Sequence, residues 1–324
     1  METIDSVLAQ DYPTSCFEVI IADGASSDGT DSIIKEYANT NFQVKYIHNA
    51  KKIVPTGLNL AIAQAQGNII IRMDAHSIYP KNYISKLVEA LEMHQADNVG
   101  CVIKTIPSST SSKAKAIAIG LSSSFGVGNS MFRVGVDKPM EVDTVPFGCF
   151  RKEVFEKIGL FDEELVRNQD DEFNARMIKN GYRIVLIPDL ECSYMARNSF
   201  GKLSRMLFQY GLFKPLVNFK LKHVATIRQL IPLLLVLYII LGFMFSFAHE
   251  ILLYLYLMGL TVYLVFNMLS SMVAAVKSKS IVLFPLLAFT YPLMHISYGI
   301  GYLNGFWRII NRNKANSREV QLSR

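Results

Sequence analysis

Three acidic sites in this 324-residue chain have the residue types for chemistry, and each stands next to a strand-like or helix-like run. Asp23 directly follows "VIIA". Asp74 and His76 end "IIIRMDAH". Asp170, Asp171 and Glu172 open the helical pattern of "QDDEFNARMIKNGY". An aspartate in the first position caps the next helix or closes an Asx turn. Alternatively it accepts hydrogen bonds from a base or ribose, with Gly24 and Gly29 letting the backbone approach a ligand. In the second, a carboxylate and an imidazole spaced i, i+2 beyond an apolar strand can face one cation. The aspartate oxygen is a hard ligand suited to magnesium or manganese, and histidine tolerates manganese better. A plain turn accounts for the same letters. In the third, the helix macrodipole favours anions at the N-terminus, but three carboxylates exceed what a cap requires. The surplus is either solvated charge or a general base.

The elements around these sites alternate. Thr3–Ala9 reads as a helix, 17–22 as a strand, 44–48 as a second strand, 55–66 as a helix and 69–73 as a third strand. Ile84, Leu87, Val88 and Leu91 give 81–93 one apolar helical face, and helices are predicted again at 151–158 and 170–180. Strands alternating with helices imply an α/β domain with a mostly parallel sheet. In such a sheet ligands bind beyond the carboxyl ends of the strands, where Asp23 and Asp74 stand. Over 101–135 the pattern fails, and this Ser- and Gly-rich stretch is expected to be a mobile region near the site.

The C-terminal third differs. Leu230–Ala248, Ile251–Val276 and Ile281–Trp307 contain no Asp, Glu, Lys or Arg. Each reaches or approaches the ~20 residues a membrane-spanning helix needs. The preceding segment, 200–228, mixes Phe, Leu and Tyr with Lys202, Arg205, Lys214, Lys220, Lys222 and Arg228. That composition suits a helix in the membrane interface. The net charge of +6 suits anionic lipid, with no nucleic-acid partner expected. Cys16, Cys101, Cys149 and Cys192 form no CxxC pair and read as reduced thiols. No signal peptide is read before the polar part, which is expected in the cytoplasm. Pro285, Pro292, Gly299, Gly301 and Gly305 interrupt the third apolar run, which is therefore expected to enter the membrane and return, leaving a basic cytoplasmic tail.

"QDYP…FEVIIADGASSDGT", "GNIIIRMDAH", "VPFGCFRKEVFEKIGLFDEEL" and "RNQDDEFNARMIKNGYRI" occur in the order and spacing of family 2 glycosyltransferases. Residues 1 to about 215 resemble that family, nearest to the bacterial succinoglycan-type exopolysaccharide enzymes. The resemblance implies a GT-A (nucleotide-diphospho-sugar transferase) fold, with a mixed, mostly parallel sheet followed by an α-helical membrane region. It also implies a nucleotide-sugar donor and inversion at the anomeric carbon. By the same resemblance Asp23 reads the uracil, and Asp74 takes the first position of the metal-holding Asp-x-Asp motif. His76 stands where most of the family has the second Asp. Asp170 aligns with the catalytic base, Gln169 replacing the family's Glu, with Asp171 as runner-up. Arg176 resembles the family's arginine on the same helix. The Gln-x-x-Arg-Trp motif of processive synthases is absent from the sequence, "RMLFQYG" standing near its place. In the family a strand and a turn precede the "ETIDSVLAQDYP" helix, so a domain short of about 15–20 residues is expected.

Together these imply a membrane-anchored inverting glycosyltransferase using a UDP-sugar with Mn²⁺ or Mg²⁺. The acceptor is expected to be a polyprenyl-linked saccharide, and the location the inner (plasma) membrane, multi-pass, with the catalytic domain cytoplasmic. The expected divisions are a GT-A domain over 1–199, an interface segment over 200–228, membrane helices over 229–307 and a basic tail over 308–324. Three rivals are a polyprenyl-phosphate sugar synthase, an inactive, truncated membrane scaffold and a transporter built on the hydrophobic third, the last disfavoured by the lack of Asp, Glu, Lys and Arg in the apolar runs.

Overall fold

A computed structural model describes residues 2–75 and 77–311. His76 and the basic tail from Arg312 onward lie outside the described residues. The chain divides into two units, Met1–Lys104 with Gly135–Tyr194, and Thr105–Val134 with Met195–Arg324. The division differs from the domain limits read from the sequence, because 105–134 groups with the C-terminal helices instead of continuing the N-terminal domain.

The strands are β1 (Val19–Asp23), β2 (Val44–His48), β3 (Ile69–Ile71), β4 (Ser77–Ile78), β5 (Asn98–Ile106), β6 (Met140–Glu141), β7 (Cys149–Arg151) and β8 (Ile184–Met195). The helices of the first unit are α1 (Glu2–Leu8), α2 (Thr30–Thr40), α3 (Val54–Gln64) and α4 (Tyr83–Met93), then α8 (Lys152–Ile158) and α9 (Gln169–Lys179). Those of the second are α5 (Ser112–Ser122), α6 (Ser124–Val127), α7 (Met131–Val134), α10 (Phe200–Leu221), α11 (Ile231–Ser246), α12 (Glu250–Lys277) and α13 (Leu283–Ile310).

In the first unit the sheet is mixed. β1 and β2 pair in parallel, Val19 opposite Val44 and Asp23 opposite His48. A second sheet runs in the order β3-β7-β5-β8-β4, with β6 beside β8. β7 lies antiparallel to both β3 and β5, since the chain re-enters the sheet there after the excursion that follows β5. The sheet is therefore less parallel than the strand–helix alternation of the first hundred residues implies. Its core is dominated by aromatics on α8 and α9 and beside them. Phe173 stacks on Phe155 at 4.8 Å and meets Phe161 at 4.7 Å and Phe150 at 5.7 Å. Cys101, Cys149 and Cys192 are buried free thiols, and Cys16 is exposed.

The second unit replaces an expected mobile loop with a packed helix. Ser111 caps α5 by accepting from the Ala114 amide at 3.2 Å. Ala116 and Ile117 lie fully buried, in clusters with Leu283, Leu287 and Tyr291 on one side and with Leu203, Met206 and Met294 on the other. The helical face was concealed in the sequence because it is built mainly of alanines between serines and lysines.

Helix α10 packs along α13 with almost no gap. A methyl on Gly301 would fall 2.1 Å from the Phe208 carbonyl oxygen, and one on Gly305 2.1 Å from that of Leu212. Ser204 and Ser297 hydroxyls meet at 2.8 Å between the same helices. Small residues that let helix backbones touch are the usual device of membrane bundles. The segments Ile227–Ser246, Glu250–Lys277 and Leu283–Ile310 are long and apolar enough to cross a membrane.

The third of these is one continuous helix, not the segment that enters and returns expected from its prolines. Its 28 residues extend about 42 Å. Pro285 falls in the first turn, where its missing N–H has no partner to lose. Pro292 leaves the Ala288 carbonyl without a helical donor. The Asn267 amide of α12 donates to that oxygen at 2.9 Å and repairs the gap. Removing it with Asn267→Leu is expected to strand a buried carbonyl at about 1–3 kcal/mol, read as a lower melting temperature in detergent. In a Pro292→Ala background the restored N–H serves the carbonyl, so the same substitution should cost clearly less. Equal losses in both backgrounds would contradict this pairing.

Candidate active site

Strand β3 ends one residue before the chemistry starts. The Arg72 amide donates to the Gly148 oxygen at 2.9 Å, carrying the β3–β7 pairing one step further. Beyond it the chain turns around the buried Tyr79 hydroxyl. That oxygen accepts from the Asp74 amide at 2.6 Å and donates to the Asp74 carbonyl at 3.2 Å. Burial pushes the Tyr79 hydroxyl well above its ordinary value, so it stays protonated and able to donate. Tyr79 is itself held against Tyr83, ring centroids 4.7 Å apart. The Asp74 backbone is thereby fixed while its side chain remains 32% exposed.

Helix α9 brings the second carboxylate. It begins after Asn168, whose backbone is left-handed at φ 61°. Two features lock the helix. Phe173 seats in the aromatic core, and Asn174 accepts from Asn98 at 3.0 Å while donating to Thr144 at 2.8 Å and to the Val145 carbonyl at 3.0 Å. The three acids then separate by role. Glu172 is buried and pairs with Arg176 at 2.8 Å. Asp170 accepts from the Asp171 amide at 3.0 Å through one oxygen and turns the other toward Arg72.

Arg72 joins the two sites. Its Nη2 lies 3.4 Å from Asp74 Oδ1 and its Nη1 3.6 Å from Asp170 Oδ2. The guanidinium is 8% exposed, whereas the two carboxylates are about a third exposed. Burial works against its charge, but Asp74 and Asp170 outweigh that and raise its pKa above the ordinary arginine value. Sequence reasoning passed over Arg72 and Tyr79. A lone charge closing an all-isoleucine strand, two residues before an aspartate, was the signal available for the first.

The other expected residues fare differently. Asp23 ends β1 and is buried, with Oδ2 accepting from the Ser26 amide at 3.0 Å. That is the Asx turn weighed from the sequence, made by one oxygen of the carboxylate. Left-handed backbone at Ala25 (φ 54°) and Lys52 (φ 62°) surrounds Gly24, which approaches the Lys52 backbone. Non-glycine residues held in this region are uncommon and cluster at functional sites. Arg176 pairs with Glu172 on its own helix. Its fork caps the end of α8, donating to the carbonyls of Ile158, Gly159 and Leu160 as well as to Glu172. Of the expected metal pair, Asp74 stands in the turn after β3 and His76 is outside the described residues. Among the described residues no group of three or more His, Cys, Asp or Glu side chains gathers around a point that would hold a metal.

Comparison with known proteins bears on the family and the fold. Residues 1–159 match the family described as glycosyl transferase family 2. The succinoglycan biosynthesis protein ExoA of Rhizobium meliloti is 33% identical over 217 residues, 66% of this chain and 65% of that protein. A dolichyl N-acetyl-alpha-D-glucosaminyl phosphate 3-beta-D-2,3-diacetamido-2,3-dideoxy-beta-D-glucuronosyltransferase of Methanococcus voltae is 29% identical over 216 residues, 64% of this chain and 66% of that one. The matched stretch thus spans just under two-thirds of these relatives. The solved structure of Staphylococcus aureus TarS 1–349 in complex with UDP-GlcNAc is similar in fold, with a TM-score of 0.51 and 19% identity over 93% of this chain and 86% of that chain. Residues 1–159 thus form a glycosyl transferase family 2 domain, and the fold is GT-A.

Proposed function

We propose that this protein is a membrane-anchored inverting glycosyltransferase that moves a sugar from a UDP-sugar to a lipid-linked saccharide during exopolysaccharide or cell-surface polysaccharide synthesis. One observation carries the reading. A partly exposed carboxylate at a strand end, Asp74, and another at a helix start, Asp170, converge on the same buried arginine. The relatives support the substrate class, one being named for succinoglycan biosynthesis and another for transfer to a dolichyl-phosphate-linked sugar. The TarS structure holds UDP-GlcNAc, which suits a UDP-sugar donor here.

The donor set fits a divalent ion carried by the diphosphate. Magnesium is usually held by one or two carboxylates together with substrate phosphates, and Asp74 supplies one such carboxylate, with His76 proposed as the second ligand. When bound, a Mg²⁺ or Mn²⁺ ion supplies neutralisation of the charge developing on the departing diphosphate. Asp23, at the end of β1, is proposed to read the uracil with its remaining hydrogen-bonding capacity. Asp170 takes the proton from the acceptor hydroxyl as that oxygen bonds to the anomeric carbon. The bond from that carbon to the diphosphate breaks on the opposite face, so the configuration inverts.

The membrane part is proposed to anchor this chemistry at the inner face of the plasma membrane. Exposed Phe219, Val224 and Ile227 beside Lys222 and Arg228 suit the interface between headgroups and acyl chains. The turn between α11 and α12 carries no Lys or Arg, while Lys277 and Lys279 stand at the end of α12, as expected for an outer and an inner turn respectively.

Asp74→Ala is expected to abolish metal-dependent UDP binding in titration calorimetry; unchanged affinity would remove Asp74 from the metal site. Asp170→Asn should still bind UDP but lose transfer by about 10²–10⁴-fold, the range for a general base. Retained transfer would point instead to a lipid-phosphate acceptor, which needs little base catalysis. In a Cys-free background, His249→Cys should react with a membrane-impermeant maleimide in intact cells and Ser278→Cys should not. The reverse pattern would invert the proposed orientation.

A further inference from the structure

Arg72 is one cation serving two anions that belong to different steps of the reaction. Its Nη2 addresses Asp74, and its Nη1 addresses Asp170. Neither contact is tight. The 3.6 Å separation from Asp170 is too long for a hydrogen bond. Nε and Nη1 are buried and have no hydrogen-bond partner among the described residues. Buried N–H groups are nearly always satisfied, and a closer approach of Asp170 would satisfy Nη1.

We propose that Arg72 couples donor binding to the placement of the general base. The inference rests on the reading above, in which Asp74 engages the metal and diphosphate of the donor. Before the donor arrives, the guanidinium is shared. Once Asp74 turns to the donor's cation, its hold on Nη2 weakens and the charge of Arg72 is left to Asp170. A contraction of less than an ångström then converts the Asp170 contact into a charge-assisted hydrogen bond of ~2.8 Å. Asp170 is thereby held in one position when the donor is in place, ready for the acceptor. Arg72 touches no substrate in this scheme and is a positioning residue. Arginine suits the task because its planar fork presents separate edges to two carboxylates, which the point charge of lysine does not.

The test is a double-mutant cycle on the full-length protein in detergent, titrating UDP in the presence of Mn²⁺. In Asp170→Asn, Arg72 is left to Asp74 alone and competes harder with the metal. UDP affinity should fall about fivefold, at the low end of typical coupling. In an Arg72→Met background the same Asp170→Asn change should have almost no effect on affinity. An equal change in both backgrounds overturns the coupling. It would leave the donor site itself intact, since that is read separately from Asp74→Ala.

Arg72→Met removes a buried side chain and could unfold the protein, so a second measurement keeps Arg72 in place. Thermal unfolding without ligand is compared for Asp74→Asn, Asp170→Asn and the two together. Each single change leaves the guanidinium one carboxylate, whereas the double change leaves a buried charge with neither. The double variant should therefore lose more than the sum of the singles. Additive losses overturn the sharing of Arg72.

Discussion

The candidate site depends on a buried positive charge between two half-open negative ones. A guanidinium this enclosed is tolerated because Asp74 and Asp170 compensate the hydration it has lost. Two carboxylates compensate the burial of Arg72, and each arrives by a different route through the fold. Asp74 is delivered by a strand end folded over Tyr79, and Asp170 by a helix start pinned through Phe173 and Asn174. Much of the first unit's packing can be understood as bringing those two routes to one point. The aromatic core sets the depth of α9, and the Asn98–Asn174–Thr144 bonds set its rotation.

The second unit solves a different problem with similar means. In the membrane setting proposed for them, long apolar helices that contain proline and serine must leave few backbone groups unsatisfied in a medium without water. Asn267 answers Pro292, and glycines on α13 let α10 come into backbone contact. Between α12 and α13, the Tyr263 hydroxyl meets His295 at 2.9 Å, and the other His295 nitrogen meets the Phe125 carbonyl at 2.8 Å. Polar side chains within these helices are thus spent on holding neighbours together. This suits an anchor, since none of the three apolar runs contains Asp, Glu, Lys or Arg.

How far the sequence could be read follows from the range of the interactions involved. β2 appears over the residues expected, 44–48, and α4, α8 and α9 begin and end within two residues of their expected limits. Those elements are fixed by local periodicity. The excursion after β5 was misjudged because alanine is ambiguous in a pattern of apolar and polar letters, and its burial is decided by α10, α12 and α13 far along the chain. The third apolar segment was misjudged because the donor that makes Pro292 harmless lies on another helix. In the site, aspartates at strand and helix ends were legible by type and position. Arg72 was not, since its meaning comes from Asp170, almost a hundred residues away. Arg176 shows the opposite failure: a motif position drew attention to a side chain whose surroundings make it a helix cap.

The central claim is that Asp74 and Asp170 work on opposite sides of one displacement at a sugar's anomeric carbon. The most direct measurement is the anomeric configuration of the sugar newly transferred from a UDP-sugar to lipid-linked acceptor, read by proton NMR. The account predicts a configuration opposite to that of the donor. A product with the donor's configuration retained would contradict it, because a base on one face and a leaving diphosphate on the other cannot give that outcome in one step.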